Sequence, residues 1–157
     1  ETGLELVEGE EAKRADFLIF GGHPEFHYNE MKIAAIALSN GAHFYATNRD
    51  PAYPTSEGHV PATGAMLASV EVASGKRAVC AGKPEHIIFD MALNDYDRRK
   101  AVIVGDDIHT DIKGGKHAGI NTVLVLSGST NNTDVEDNEV KPDYIIKDLS
   151  GLLSEVN

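Results

Sequence analysis

Short apolar runs recur along the chain, separated by stretches whose apolar positions fall at helical spacing. The runs are Phe17 to Phe20, His43 to Thr47, Arg77 to Ala81, Ala101 to Val104, Thr122 to Leu126 and Tyr144 to Ile146. Strand-length runs that alternate with helices predict a parallel sheet built from crossover units, and so an α/β fold. In the first helical stretch Met31, Ala35 and Leu38 share a face, with Asn29 as the expected N-cap and Asn40-Gly41 as the stop. A second helix is expected over Thr63 to Ser74, ended by Gly75. A third opens with Pro84 at its first position and carries Ile87, Ile88, Met91 and Ala92. The fourth begins near Thr110, sets Ile108, Ile112 and Gly115 on one side and closes at Gly119. Asn48 to Gly64 is rich in Pro and Gly and reads as a long loop, a kind of segment that often carries function.

Composition narrows the classes. At 157 residues, 41% of them hydrophobic, the chain has the material for an α/β core. It holds 14 Lys and Arg against 25 Asp and Glu, a formal charge of −11, with no basic block to follow a phosphate backbone. Nucleic acid is therefore not an expected partner. No apolar segment approaches a membrane span, and the acidic stretch from Glu1 to Phe17 has no signal-peptide character, so a soluble, cytoplasmic protein without a membrane partner is expected. Cys80 is the one cysteine, which rules out an intrachain disulfide and reads as a small buried strand residue.

The candidate chemistry begins where "AVIV" stops on Gly105 and the acids Asp106, Asp107 and Asp111. A strand, then Gly-Asp, then a helix puts Asp106 at the carboxyl end of a parallel strand, where open α/β sheets bind ligands. Crowded carboxylates repel one another, so a cation is expected among them. Mg²⁺ takes one or two carboxylates, waters and phosphate oxygens, which suits Asp106 as a direct ligand with Asp111 behind it. The plainer reading makes Asp107 and Asp111 helix N-terminal acids favoured by the dipole. Lys83, in "AGKPEHIIF", sits between a strand end and a helix start, a position better explained if an anion is there too. A lysine at one strand end and acids at the next suit phosphoryl transfer, which depends on positioning and charge neutralisation. His23 and His27 are four apart, but Pro24 between them argues against a shared helical face and a metal role.

These blocks together resemble a known family. "ATNRDPAYPTSEGHVPATG" through "GKPEHIIFDMAL", then "VIVGDDIHTDIKGGKHAGINTVLVLSG" and "KPDYIIKDLSGLL", are similar to the haloacid dehalogenase (HAD) superfamily, subfamily IIA, the NagD and 4-nitrophenylphosphatase type. The likeness runs from about Leu4 to Leu153. It implies a parallel-sheet, Rossmann-like HAD core, present in part, with part of an α/β cap domain. Residues 1–79 would be the later part of the cap, and 80–157 the later part of the core with motifs III and IV. It implies that Lys83 is the motif III lysine and Asp106 the motif IV Mg²⁺ ligand, supported by Asp111. Asn48, Arg49, Asp50 and Tyr53 would fall in the cap loop that recognises substrate. The implied activity is Mg²⁺-dependent hydrolysis of a small phosphomonoester, a nucleotide, sugar phosphate or aryl phosphate, through an aspartyl-phosphate.

The DxDGT-like motif that supplies the family's nucleophile does not occur in these residues, nor does a Ser/Thr motif II ahead of the cap. Asp107 is a poor substitute because it belongs to the metal loop. Without an attacking carboxylate the chain alone is expected to be an inactive fragment. The missing first core strand would also expose sheet edges, which a homo-oligomer, strand exchange or a companion segment would cover. An alternative reading is a non-catalytic module that binds metal or phosphate, or that assembles with a partner. A phospho-acceptor receiver domain is disfavoured, since its lysine would follow the acids.

Overall fold

The computed structural model describes residues 3–153. The chain divides into two compact units, Glu1–Ala81 and Gly82–Asn157.

In the first unit, strands β1 (Phe17–Phe20), β2 (His43–Ala46) and β5 (Val79–Cys80) form a parallel sheet in the order β1-β2-β5. Alternation sorts their side chains. Phe20, Phe44, Ala46 and Cys80 are buried, while Phe17, Ile19, Tyr45 and Val79 remain exposed. Helices α1 (Tyr28–Ser39) and α2 (Thr63–Ser74) close the core with Ala34, Ala37 and Leu38 from one and Leu67 and Val70 from the other, each set at helical spacing. Gly75 ends α2 in the left-handed conformation, φ 67°, as its sequence position implies.

The start of α1 differs from expectation. His27, not Asn29, is the N-cap: its Nδ1 accepts the Glu30 N–H at 3.4 Å, and the Glu30 carboxylate accepts the His27 N–H at 3.2 Å. This reciprocal pair at a spacing of three is a capping box, and it begins the helix two residues earlier than the Asn signal suggests. Among the described residues, His23 pairs with Glu30 at 3.3 Å.

The Pro- and Gly-rich stretch is also not a plain loop. It folds into an antiparallel ribbon of β3 (Ala52–Thr55) and β4 (Gly58–Pro61), turned at Ser56-Glu57, with Gly58 at φ 121°. Pro54 and Pro61 are tolerated because a two-stranded ribbon consists only of edges.

In the second unit, β6 (Val102–Gly105), β7 (Asn121–Val125) and β8 (Tyr144–Ile146) form a second parallel sheet, ordered β6-β7-β8. Helix α3 (His86–Ala92) starts later than expected. Pro84 lies in the turn ahead of it, after a cis Lys83-Pro84 peptide. What reads as one helix after Gly105 is two pieces: a π-helical turn over Ile108–Ile112, then α4 (Lys113–Ala118), closed by Gly119 at φ 70°. A further short helix, α5 (Asn132–Asp137), lies between β7 and β8 and sends Val135 into the core with Ile108, Ile112 and Leu124.

Helix α4 lies very close to the sheet. A Cβ on Gly115 would sit 2.5 Å from Ile103 Cγ2 and 2.6 Å from Thr122 Cγ2, both on β-branched side chains with little rotamer freedom. Gly115→Ala is expected to lower stability by about 1–2 kcal/mol, overpacking outweighing the gain in helix propensity. Urea unfolding checks this, and a neutral or stabilising result would contradict the close packing.

Candidate functional site

The site is built at the carboxyl end of β6, from Gly105-Asp106-Asp107 and the π-helical turn that follows. Asp111 is its organiser. Although charged, it is only 5% exposed, and both of its oxygens are engaged. Oδ1 accepts from Lys83 Nζ at 2.5 Å, and Oδ2 accepts the backbone N–H groups of Asp106 and Asp107, each at 3.2 Å. Gly105 makes room for this carboxylate, since a Cβ there would meet Asp111 Cγ at 2.3 Å. Buried charge is costly unless paired and hydrogen-bonded, and here both conditions are met.

Asp107 caps the turn, its Oδ1 accepting from the amides of His109 at 2.7 Å and Thr110 at 3.2 Å. Ile108 donates its amide to Thr130 Oγ1 at 3.1 Å. Each backbone N–H from Asp106 to Thr110 thus has a side-chain acceptor, supplied by Asp111, Thr130 or Asp107. A loop held at every amide leaves its side chains little freedom to reorient.

Asp106 is the half-buried carboxylate. Its Oδ2 accepts the Ser129 N–H at 2.7 Å, and its second oxygen takes no hydrogen bond from another described residue. The Ser129 amide holds its carboxyl below the usual aspartate range despite partial burial, helped by the Ser129 hydroxyl and by the charge of Lys83. Asp106 is thus a carboxylate with one engaged and one open oxygen, beside an ammonium half-exposed at 46%.

Sequence reasoning brings Lys83, Asp106 and Asp111 to one place, and they are together within the second unit. Asp111 acts on the backbone and on Lys83 rather than presenting a free oxygen. Lys83 follows β5, whose two residues pair with β2 in the sheet of the first unit, not with β6. The two compact units meet at Ala81/Gly82, and Val79 and Cys80 pair with β2 in the first of them. The Ser127–Thr130 segment after β7 was not singled out as part of the site. Its signal was available: "LSGST" follows an apolar parallel strand, and so lies at the same end of the sheet as Asp106.

Asn48, Arg49, Asp50 and Tyr53 lie in the first unit, at the entry to the ribbon and on β3. Arg49 is tied down: its guanidinium donates to Glu71 at 2.8 and 3.2 Å and to the Ala78 carbonyl at 2.8 Å, joining the ribbon's entry to α2 and the approach to β5. Gly64 fits under that loop, since a Cβ there would be 2.2 Å from the Arg49 carbonyl oxygen. Asn48 Oδ1 accepts the Asp50 N–H at 3.2 Å, and Tyr53 is 48% exposed.

The Arg49 guanidinium bond, above all, holds the Glu71 carboxyl below the usual glutamate range. A depressed folded value means this stabilisation is complete above the ordinary glutamate pKa of about 4.3 and fades as pH falls through the depressed value. Arg49→Ala is therefore expected to cost about 2 kcal/mol at neutral pH. The gap from wild type should shrink in urea melts taken near pH 3. An equal gap at both pH values would contradict the ionic bond.

A half-exposed lysine ammonium, held by a buried carboxylate, thus stands with an ionised carboxylate at the carboxyl end of β6. Residues 80–152 match the HAD-hydrolase-like family, and over most of its length the chain is similar to phosphatases of that kind. It is 36% identical over 143 residues to the acid sugar phosphatase of Staphylococcus saprophyticus, covering 90% of this chain and 55% of that protein. It is 35% identical over 140 residues to the 5'-nucleotidase YutF of Bacillus subtilis, covering 88% and 55%. Among solved structures, the 4-nitrophenylphosphatase of Thermotoga maritima superposes with a TM-score of 0.87 at 34% identity, over 97% of this chain and 58% of the other. The p-nitrophenyl phosphatase of Archaeoglobus fulgidus gives 0.85 at 31%, over 90% and 57%. The chain therefore spans little more than half the length of the relatives it matches.

Proposed function

We propose that this chain contributes the lysine and the metal-binding loop of a Mg²⁺-dependent phosphatase that hydrolyses small phosphomonoesters through an aspartyl-phosphate. The single observation that carries the reading is the Lys83–Asp111–Asp106 arrangement, in which one buried carboxylate fixes both the ammonium and the loop bearing the open carboxylate oxygen. The relatives' names support the substrate class: sugar phosphates, nucleotides and aryl phosphates are all small monoesters.

The donor set fits Mg²⁺. Asp106, its carboxyl held below the usual aspartate range, offers a hard oxygen without a hydrogen bond from another described residue, and this ion is commonly bound by one or two carboxylates with waters and phosphate oxygens. Asp106 would be the ligand and Asp111, whose oxygens are engaged, the residue behind it; among the described residues no group of three His, Cys, Asp or Glu side chains gathers. When bound, the ion supplies charge neutralisation at the phosphoryl oxygens.

The chain's own residues do the rest. Lys83 presents an ammonium to the same oxygens, and Asp111 keeps it aimed by holding Nζ at 2.5 Å. Asp111 also fixes the Asp106 and Asp107 amides, so the loop has little reorganising to do as charge develops. The attacking carboxylate would come from a segment outside these residues, and this chain alone is expected to be inactive. Resemblance assigns Asn48, Arg49, Asp50 and Tyr53 to substrate recognition. Arg49 would serve there by fixing the loop, since its guanidinium is committed to Glu71 and Ala78.

An assembly role has one observation in its favour: β6 pairs only with β7, leaving its other edge without a ladder partner among the described residues. The two readings separate in one assay of the full-length protein and of this chain with 4-nitrophenyl phosphate, with and without EDTA. The phosphatase reading expects full-length turnover that EDTA abolishes. Saturable phosphate binding without any turnover would support the module instead.

A further inference from the structure

We propose that Thr130 is a positioning residue for the metal-binding loop, setting the direction of the Asp106 carboxylate through the Asp106 carbonyl and the turn that follows it. The proposal rests on the reading of Asp106 as the Mg²⁺ ligand.

Thr130 is 5% exposed, lies beyond the end of β7, and contacts the loop after β6 at two points. Its Oγ1 accepts the Ile108 N–H at 3.1 Å, and its own N–H donates to the Asp106 carbonyl at 3.1 Å. Ser129 adds two bonds, from its N–H to Asp106 Oδ2 at 2.7 Å and from its hydroxyl to the Asp106 carbonyl at 3.1 Å. Gly128 completes the fit, for a Cβ there would stand 2.2 Å from Asp106 Oδ2. Asp106 is thus held by its side chain and its carbonyl from the 128–130 segment, and by its amide from Asp111. Thr130 is the member of this set that is buried and also bonds both the Asp106 carbonyl and the amide two residues further on. The Ile108 amide it receives is buried with it, so replacing the hydroxyl by a methyl leaves that donor without a partner and releases the turn after Asp106. Outer partners of this kind set ligand orientation and hence metal affinity.

The test compares Thr130→Val, Thr130→Ser and Asp106→Asn in the full-length protein. It reads the Mg²⁺ dissociation constant by calorimetry in the absence of substrate, and kcat and KM with 4-nitrophenyl phosphate. Thr130→Val should weaken Mg²⁺ binding by about tenfold or more and lower kcat with little change in KM, while Thr130→Ser, which keeps the acceptor, should stay within about threefold. A merely structural role would lower the melting temperature of Thr130→Val and leave its Mg²⁺ affinity unchanged, which would overturn the proposal. So would a Ser variant as impaired as the Val variant, since the methyl packing would then be what matters. If Thr130→Val does not fold, Ser129→Ala deletes an exposed hydroxyl on the same carbonyl. It should weaken Mg²⁺ binding by about threefold, and an unchanged affinity would overturn the proposal. Asp106→Asn keeps the two claims separate. Wild-type Mg²⁺ affinity in that variant defeats the reading of Asp106, whereas lost affinity there with an unaltered Thr130→Val defeats only the role of Thr130.

Discussion

Replacing Lys83 by Met, or Asp106 by Asn, is expected to reduce turnover by the full-length protein about 10²–10³-fold while leaving it folded. The two losses have different causes. Lys83→Met removes the ammonium beside Asp111 and keeps the stem, which is half-exposed and packs little. On the proposed reading the charge that Lys83 would place on the phosphoryl oxygens disappears, so kcat should fall more than KM rises. Asp106→Asn is nearly isosteric, and its amide oxygen can still accept the Ser129 N–H, so the loop should persist. What disappears is the negative charge that would hold the cation, and raising Mg²⁺ should restore only part of the rate. Steady-state kinetics over a range of Mg²⁺, with thermal melts for folding, decide the matter. Either variant keeping its rate within about threefold of wild type would remove that residue from the site.

Asp111→Ala should be the most destabilising change at the site, by about 3 kcal/mol, and should lower the melting temperature by about 10 °C or more. It strips the acceptor from the Asp106 and Asp107 amides and leaves the Lys83 ammonium without its carboxylate, so three donors lose one partner together. The gap beside Gly105 adds a cavity cost, because the glycine exists to admit the carboxylate. Asp111→Asn should recover part of this through its amide oxygen. A loss under about 1 kcal/mol for Asp111→Ala, read by urea unfolding, would mean that the loop does not depend on it.

Much of this was legible in the chain, for reasons that differ by element. Phe17–Phe20 and Tyr144–Ile146 were readable to the residue because apolar runs flanked by polar residues leave little choice of register. Thr63–Ser74 was readable because Gly75 marks its end. The β3–β4 ribbon was not, since its strands are almost wholly exposed and no buried face imposes a period of two. His27 hid as a cap because its acceptor is a ring nitrogen, a weaker signal than Asn or Ser. Pro84 misled because the preference for proline at a helix start cannot tell a first turn from the turn before it.

At the site, Lys83, Asp106 and Asp111 stood out because charges at strand ends need an explanation. Ser129 and Thr130 did not, because hydroxyls after a glycine look like any turn. Their contacts with the Asp106 loop join positions 22 and 23 residues apart, and are set by strand pairing rather than local sequence.

The most direct measurement is a crystal structure of the full-length protein with Mn²⁺ in place of Mg²⁺ and a phosphate analogue such as tungstate, using anomalous scattering to place both. The account predicts a Mn²⁺ peak on the open oxygen of Asp106, and the oxyanion within hydrogen-bonding distance of Lys83 Nζ with Asp111 still behind it. A metal bound elsewhere, or an oxyanion that leaves Lys83 untouched, would contradict it.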